Sequence, residues 1–105
     1  MRHGEVWIAY IPPPAGPRPV LILSRDSMPA SRPEITVAYL TTKPRNSPVE
    51  VPLTPAVDGV ARPSVVNLDS INTIPKDWIR TYRCTLSDAR MIEVAQAIRF
   101  ALSLK

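Results

Sequence analysis

Proline constrains the fold of this chain more than any other feature of its sequence. Thirteen of the 105 residues are proline, whereas the average in proteins is roughly 5%. Proline has no backbone N–H and a fixed φ, so it is excluded from helix interiors and from central strands of sheets. These prolines are scattered without a period and lie between apolar runs. They therefore divide the chain into short elements.

The segments between the prolines predict five to seven short strands. Segments rich in aromatic and β-branched residues and bounded by turn residues are Glu5–Ile11, Pro19–Ser24, Glu34–Thr42, Val49–Leu53, Ser64–Ile74 and Trp78–Cys84. The continuous apolar run Pro19–Ser24 predicts a strand that is buried on both faces. Pro52 places its own strand at an edge of the sheet, and the strand Ser64–Ile74 is expected to bend after Asp69. Loops are predicted at Pro12–Pro17, Arg25–Pro33, Lys43–Pro48 and Thr54–Pro63.

One helix is predicted at the C-terminus, because the hydrophobic period changes there. Ser87 can cap its N-terminus, and Asp88 lies in the first turn, where the helix dipole favours a carboxylate. Apolar residues then recur at helical spacing, so the helix should end near Leu104. The elements predict a single domain, 1–105, that is mainly β: a small closed or half-closed antiparallel barrel with a C-terminal helix.

Composition excludes several classes of site. The single cysteine, Cys84, excludes an intrachain disulfide and a zinc site built on several thiolates. The single histidine, His3, excludes within one chain a two-histidine ribonuclease mechanism and a HExxH metalloprotease.

Without a long apolar run or an apolar N-terminal segment, we expect a cytoplasmic protein that is not inserted in a membrane. The net charge of +4 suits a polyanionic partner.

Five blocks of sequence, in order along the chain, resemble the MazF/PemK toxins of bacterial type II toxin–antitoxin pairs. Arg2–Trp7 resembles the family's opening RxGE[IV]W, and Arg18–Ser24 resembles its RPVL[VI]xS block. Val37–Thr42 lies where the family has a strand that ends in Thr-Ser or Thr-Thr. Pro63–Ile74 resembles xSVVxxDQIRTI, and Leu86–Leu104 resembles LSxxxMxEVxxALxxSLxL. The order and spacing of the blocks hold over almost the whole chain.

The resemblance implies an SH3-like barrel that forms a homodimer and acts as an endoribonuclease on single-stranded RNA. It implies that the enzyme needs no metal or other cofactor. The 2′-OH of the substrate would be the nucleophile, and the products would be a 2′,3′-cyclic phosphate and a 5′-OH. A cognate antitoxin would bind across the same groove as the RNA and block it.

Two catalytic residues carry over from the family pattern, Arg18 and Thr41. Attack by a 2′-OH increases the charge on the non-bridging oxygens of the phosphate. The planar, always charged guanidinium of Arg18 can bind two of these oxygens and can donate a proton, but it is a poor general base. The hydroxyl of Thr41 can donate to one phosphate oxygen and hold the reacting geometry.

Five further residues are candidate contacts to the substrate. Asn67 could read a base edge or be an ordinary polar residue of a strand, and Asp69 could contact RNA or cap a turn. Lys43 and Arg45, on a basic loop beside Thr41, could bind phosphates or remain solvated. Tyr10, beside the proline-rich loop, could stack on a base.

One departure from the family pattern concerns the first loop. Family members usually have a longer loop before the RPV block, often with Gly-Ser-Glu-Gln. Here the loop is Pro12–Pro17, which is short and contains no carboxylate. Any part that a loop glutamate plays in acid–base chemistry or in gating the substrate would therefore be missing.

Two other functions are compatible with the same fold. The CcdB toxins share it and poison gyrase by binding, but their distinctive C-terminal tail differs from the Leu104–Lys105 end of this chain. A degenerate RNA-binding module would keep the groove without the chemistry. It would bind RNA in a salt-dependent way and leave it intact.

Overall fold

The computed structural model describes all residues from Met1 to Lys105, folded as six strands and two α-helices. In chain order the elements are β1 (Glu5–Ile11), β2 (Gly16–Ile22), β3 (Glu34–Thr41), β4 (Glu50–Leu53), α1 (Pro55–Asp58), β5 (Ser64–Pro75), a 3₁₀ turn (Lys76–Trp78), β6 (Ile79–Thr85) and α2 (Asp88–Ala101). No helix in the structure combines the length and the apolar content needed to cross a membrane.

The strands form one antiparallel sheet in the order β4-β5-β3-β2-β1-β6. The terminal strands β4 and β6 do not pair with each other, so the curled sheet is a half-closed barrel. The predicted class, mainly β with a C-terminal helix, is confirmed. Pro52 lies on the edge strand β4, as predicted. Proline has no N–H to donate, and an edge strand tolerates this because one of its sides is unpaired.

Two hydrophobic clusters pack on the two faces of the sheet. The face covered by α2, here called the helix face, buries a cluster that includes Val6, Leu21, Ala38, Leu40, Val66, Leu68 and Val94. The other, here called the far face, buries Ala9, Val20, Ile22, Ile35, Val37, Ile74 and Ile79. Neighbouring residues of a strand point to opposite faces. The predicted two-faced burial of β2 is therefore confirmed, since its residues 20–22 are fully buried between both clusters.

Several predicted bounds were wrong. The helix α2 ends at Ala101 instead of near Leu104, and Trp78 belongs to the 3₁₀ turn instead of to β6. β2 begins at Gly16 instead of Pro19, because β1 and β2 remain paired down to their tight turn. The predicted loop Thr54–Pro63 contains the short helix α1. Thr54 caps this helix by accepting a hydrogen bond from the Val57 N–H, and Gly59 ends it with a positive φ of 83°.

At the C-terminus, Ser87 caps α2 as predicted, by accepting a hydrogen bond from the Arg90 N–H.

The carboxylate of Glu5 fastens the N-terminus to β1. Its Oε1 accepts hydrogen bonds from the Arg2 N–H at 2.7 Å and from Trp7 Nε1 at 3.0 Å. Burial acts to raise the pKa of Glu5. The hydrogen bonds from Arg2 and Trp7, with nearby positive charges, outweigh that effect, and the pKa of Glu5 lies below its usual 4.5.

This lowered pKa predicts a pH-dependent contribution to stability. A carboxylate whose pKa is lowered by folding stabilises the protein above its unfolded pKa, and this contribution is lost as the pH falls through the folded pKa. We expect Glu5→Gln to lower the melting temperature at about pH 7 and to have a progressively smaller effect toward about pH 3. Thermal melts of both proteins across that range measure this difference. A difference that stays constant with pH would contradict the assignment.

Candidate active site

Arg18 lies on the far face of the sheet. It pairs with Ala9 on β1, and residues directly opposite each other in an antiparallel pair share a face. Its guanidinium carbon lies 5.2 Å from the centre of the Tyr39 ring, in a cation–π contact. Its buried Nε has no hydrogen-bond partner, and its side chain forms no ion pair. The cation is therefore held in place without being neutralised by the protein.

Strands β2 and β3 separate at this position. Their ladder ends at the pair Val20–Tyr39, although β2 remains paired with β1 from Gly16 to Leu21. Pro17 and Pro19 have no N–H, so the first half of β2 cannot complete a second ladder with β3. The proline that follows Arg18 thus helps to open a gap in the sheet beside it.

Thr41 lies across this gap from Arg18. Arg18 is two residues before Val20 and Thr41 is two residues after Tyr39, so continuing the register places the two on one face of the sheet. The Thr41 Oγ1 accepts a hydrogen bond from the Lys43 N–H at 3.2 Å. Since its oxygen already accepts, the hydroxyl proton remains free to be donated. The structure thus brings together the two residues that the sequence predicted to be catalytic.

Strand β5 adds Asn67 to the same face and then bulges. Asn67 pairs with Tyr39, and residues 68–70 have no partner on β3. The Asn67 Oδ1 accepts from the Asp69 N–H at 2.9 Å, and its Nδ2 donates to Ser70 Oγ at 3.3 Å. The Asn67 amide is therefore largely used in closing the bulge. Asp69 is exposed in this bulge, and its contact with substrate stays a prediction.

The loop after β3 carries the two cations Lys43 and Arg45. Glu50 on β4 fixes its conformation, because its carboxylate accepts hydrogen bonds from the Arg45 N–H at 2.9 and 3.2 Å. Both cationic side chains are exposed and neither forms an ion pair. Both can contact a phosphate, and that role stays a prediction.

Tyr10 lies on the helix face, away from the side chain of Arg18. It pairs with Pro17, the residue before Arg18, and successive residues of a strand point to opposite faces. Its hydroxyl lies 3.4 Å from Thr81 Oγ1, and the Arg80 guanidinium carbon lies 5.6 Å from its ring centre. The structure does not bring Tyr10 together with Arg18 on one face.

A cavity of about 450 Å³ occupies the gap and extends to the helix face. Its apolar walls are Val6, Ile8, Pro17, Pro19, Leu40, Val60 and Ala61, and its polar walls are Arg18, Thr41, Thr42, Arg62, Ser64 and Arg83. No sequence motif singles out Arg62 and Arg83. They lie on the loop before β5 and on β6, and only the folded sheet brings them to Arg18.

The single thiol of the chain is not suited to be a nucleophile. Cys84, next to Arg83, is 9% exposed. Burial raises the pKa of this thiol, although the charge of Arg83 acts to lower it, so the thiol stays protonated at neutral pH. No three His, Cys, Asp or Glu side chains gather as a metal site. The polar groups around the gap are mainly guanidinium and hydroxyl groups.

Comparison with protein families identifies the chain. Residues 2–102 match the model of the PemK-like, MazF-like toxin of type II toxin–antitoxin systems. The chain belongs to this toxin family. A curated relative, the probable endoribonuclease MazF2 of Mycobacterium tuberculosis, is 38% identical over 99 residues, which cover 94% of this chain and 95% of the relative.

Solved structures of MazF-like toxins have the same fold. The M. tuberculosis toxin MazF-mt6 is 35% identical with a TM-score of 0.87, and the match covers 96% of this chain and 98% of that one. An endoribonuclease from a mycobacterial species, solved in complex with its cognate antitoxin, is 28% identical with a TM-score of 0.87. That match covers 100% of this chain and 97% of the other. The half-closed barrel described above is thus the fold of MazF-like toxins.

Proposed function

We propose that this MazF-like toxin is an endoribonuclease that cuts single-stranded RNA without a metal ion, with Arg18 and Thr41 as its catalytic residues. The observation that carries the proposal is the gap between β2 and β3. There the unpaired guanidinium of Arg18, held on Tyr39, lies across from a threonine hydroxyl with a free proton. The names of the relatives as endoribonucleases support the same activity.

The proposed reaction is an internal transfer of the phosphodiester. The 2′-oxygen of the RNA forms a bond to the adjacent phosphorus and loses its proton to water, while the bond from phosphorus to the 5′-oxygen breaks. Arg18 binds the two non-bridging oxygens and donates a proton to the leaving 5′-oxygen, after which water reprotonates it. Thr41 donates to a non-bridging oxygen. The products are a 2′,3′-cyclic phosphate and a 5′-OH.

The proposed partners follow from the family and from the charge of the chain. The net charge of +4 favours a polyanionic substrate. A related endoribonuclease has been solved in complex with its cognate antitoxin. We propose that this chain also has a cognate antitoxin and that it blocks the RNA site. We further propose that the active form is a homodimer and that it acts on RNA in the cytoplasm.

Incubation with RNA in the presence of EDTA tests the activity. We expect a long, weakly structured RNA to be cut at discrete positions, with 5′-OH and 2′,3′-cyclic phosphate ends at every cut. RNA that is bound but remains intact would overturn the proposal in favour of a binding module. Intact RNA together with inhibition of DNA gyrase supercoiling would overturn it in favour of a CcdB-like poison.

A further inference from the structure

The cavity at the gap is strongly biased toward binding an anion. Its walls include three arginines, two threonines and a serine but no aspartate or glutamate. Neither Arg62 nor Arg83 takes part in any of the four ion pairs of the chain. Cations grouped in a concave, partly apolar site attract a ligand of opposite charge more strongly than the same cations on a flat surface. A volume of about 450 Å³ is within the range of roughly 300–1,000 Å³ for small-molecule sites.

A β-bulge places Arg83 at this cavity. Strand β6 pairs Cys84 with Val6 and Tyr82 with Trp7, so Arg83 is an extra residue without a partner on β1. A bulge of this kind changes the direction of a side chain and is often found beside functional sites. The strand thus departs from regular pairing at the residue that supplies a cation to the cavity.

Arg62 reaches the same cavity from the loop between α1 and β5. The backbone of this loop is fixed at Gly59, where a Cβ would lie 3.1 Å from the Cβ of Cys84. It is fixed again at Val60, whose side chain is buried in the cluster on the helix face. The guanidinium of Arg62 therefore extends from a well-packed backbone, which limits the entropy lost when a ligand binds.

We propose that this cavity binds one nucleotide of the RNA next to the cut, with Arg62 and Arg83 on its phosphodiester and the apolar wall on its base. The cavity shares Arg18 and Thr41 with the gap, so a strand whose scissile phosphate lies on these residues places an adjacent nucleotide within reach of the two arginines. The apolar wall, with Ile8, provides a surface for the base. This inference rests on the proposed ribonuclease function, and it makes Arg62 and Arg83 positioning residues.

Alanine substitution of each arginine tests the subsite. We expect Arg62→Ala and Arg83→Ala each to raise KM for a long RNA on the order of tenfold with little change in kcat. Each should also reduce the dependence of log Kd on log salt concentration by about 1, because one phosphate contact is lost. On RNAs shortened stepwise from either end, the effect should vanish once the nucleotide that fills the cavity is absent. Arg99→Ala, which removes an exposed arginine of α2, is the matched control.

A substrate that cannot be cut separates this inference from the proposed function. RNA with a 2′-O-methyl group on every nucleotide lacks the nucleophile, and fluorescence anisotropy measures its binding whether or not the wild-type protein cleaves RNA. Weaker binding by Arg62→Ala and Arg83→Ala, but not by Arg99→Ala, supports the subsite. If all three variants bind this RNA as tightly as the wild-type protein does, the subsite is overturned. Equal loss on long and fully shortened RNAs also overturns it, because the contact would then not be to a flanking nucleotide.

Discussion

Replacing Arg18 by alanine is expected to lower the rate of RNA cleavage by about 100- to 1,000-fold, the usual effect of losing one positioned donor to a developing anion. The guanidinium is stacked on Tyr39 and forms no ion pair. It can therefore offer its donors to the phosphate with little reorganisation. Single-turnover rates at saturating RNA measure the chemical step apart from binding. Arg18→Lys keeps the charge but loses the fork, so it should recover only a small part of the rate.

Two controls make this expectation specific. Arg25→Ala removes an exposed arginine from the loop after β2 and should leave the single-turnover rate unchanged. Thr41→Val keeps the shape of the side chain without the hydroxyl and should also slow cleavage, whereas Thr41→Ser should restore most of the rate. Wild-type rates in folded Arg18→Ala and Thr41→Val proteins would show that the catalytic groups lie elsewhere.

The positions of the strands could be predicted from the sequence, because the residues that decide them act locally. Pro52 excludes β4 from the centre of the sheet, and the apolar run in β2 can be buried only between two packed faces. Ser87 fixes the start of α2 through a single hydrogen bond. The sequence motif around Arg18 also predicted a residue that forms one wall of the candidate site.

Other parts of the site could not be predicted, because they depend on register between distant strands. The extra residue Arg83 becomes visible only when β6 is aligned with β1. The bulge after Asn67 likewise needs the register of β5 against β3. The face on which Tyr10 lies follows from its pairing with Pro17. A shift by one residue would reverse the faces of every side chain in a strand, and the sequence pattern alone does not specify these shifts.

Breaking the ion pair between α1 and α2 is expected to lower the free energy of unfolding by about 2–4 kcal/mol. The side chain of Asp58 is 2% exposed, and its Oδ1 lies 2.9 Å from Arg90 Nε. Its Oδ2 accepts the Thr54 N–H at 2.8 Å. Hydrogen bonds to Asp58 and then to Glu93 raise the pKa of Arg90, so Arg90 stays charged. Asp58→Ala leaves both donors without this partner, and urea unfolding measures the loss.

The neighbouring pair Arg90–Glu93 is the matched control. The side chain of Glu93 is 46% exposed, so Glu93→Ala should cost at most about 0.5 kcal/mol. A double-mutant cycle of Asp58→Ala with Arg90→Ala should give a coupling of about 1–3 kcal/mol. Equal urea midpoints for Asp58→Ala and Glu93→Ala would contradict the assignment.

The same ion pair links the stability of the fold to the proposed subsite. Asp58 is the last residue of α1, and the chain continues through Gly59 into the loop that carries Arg62 to the cavity. Loss of the anchor on Arg90 should therefore let this loop move. Under conditions where it remains folded, Asp58→Ala should raise KM for long RNA as Arg62→Ala does, with little change in kcat. Because Arg18 is held by Tyr39 on the far face, the chemical step should be unaffected by this change.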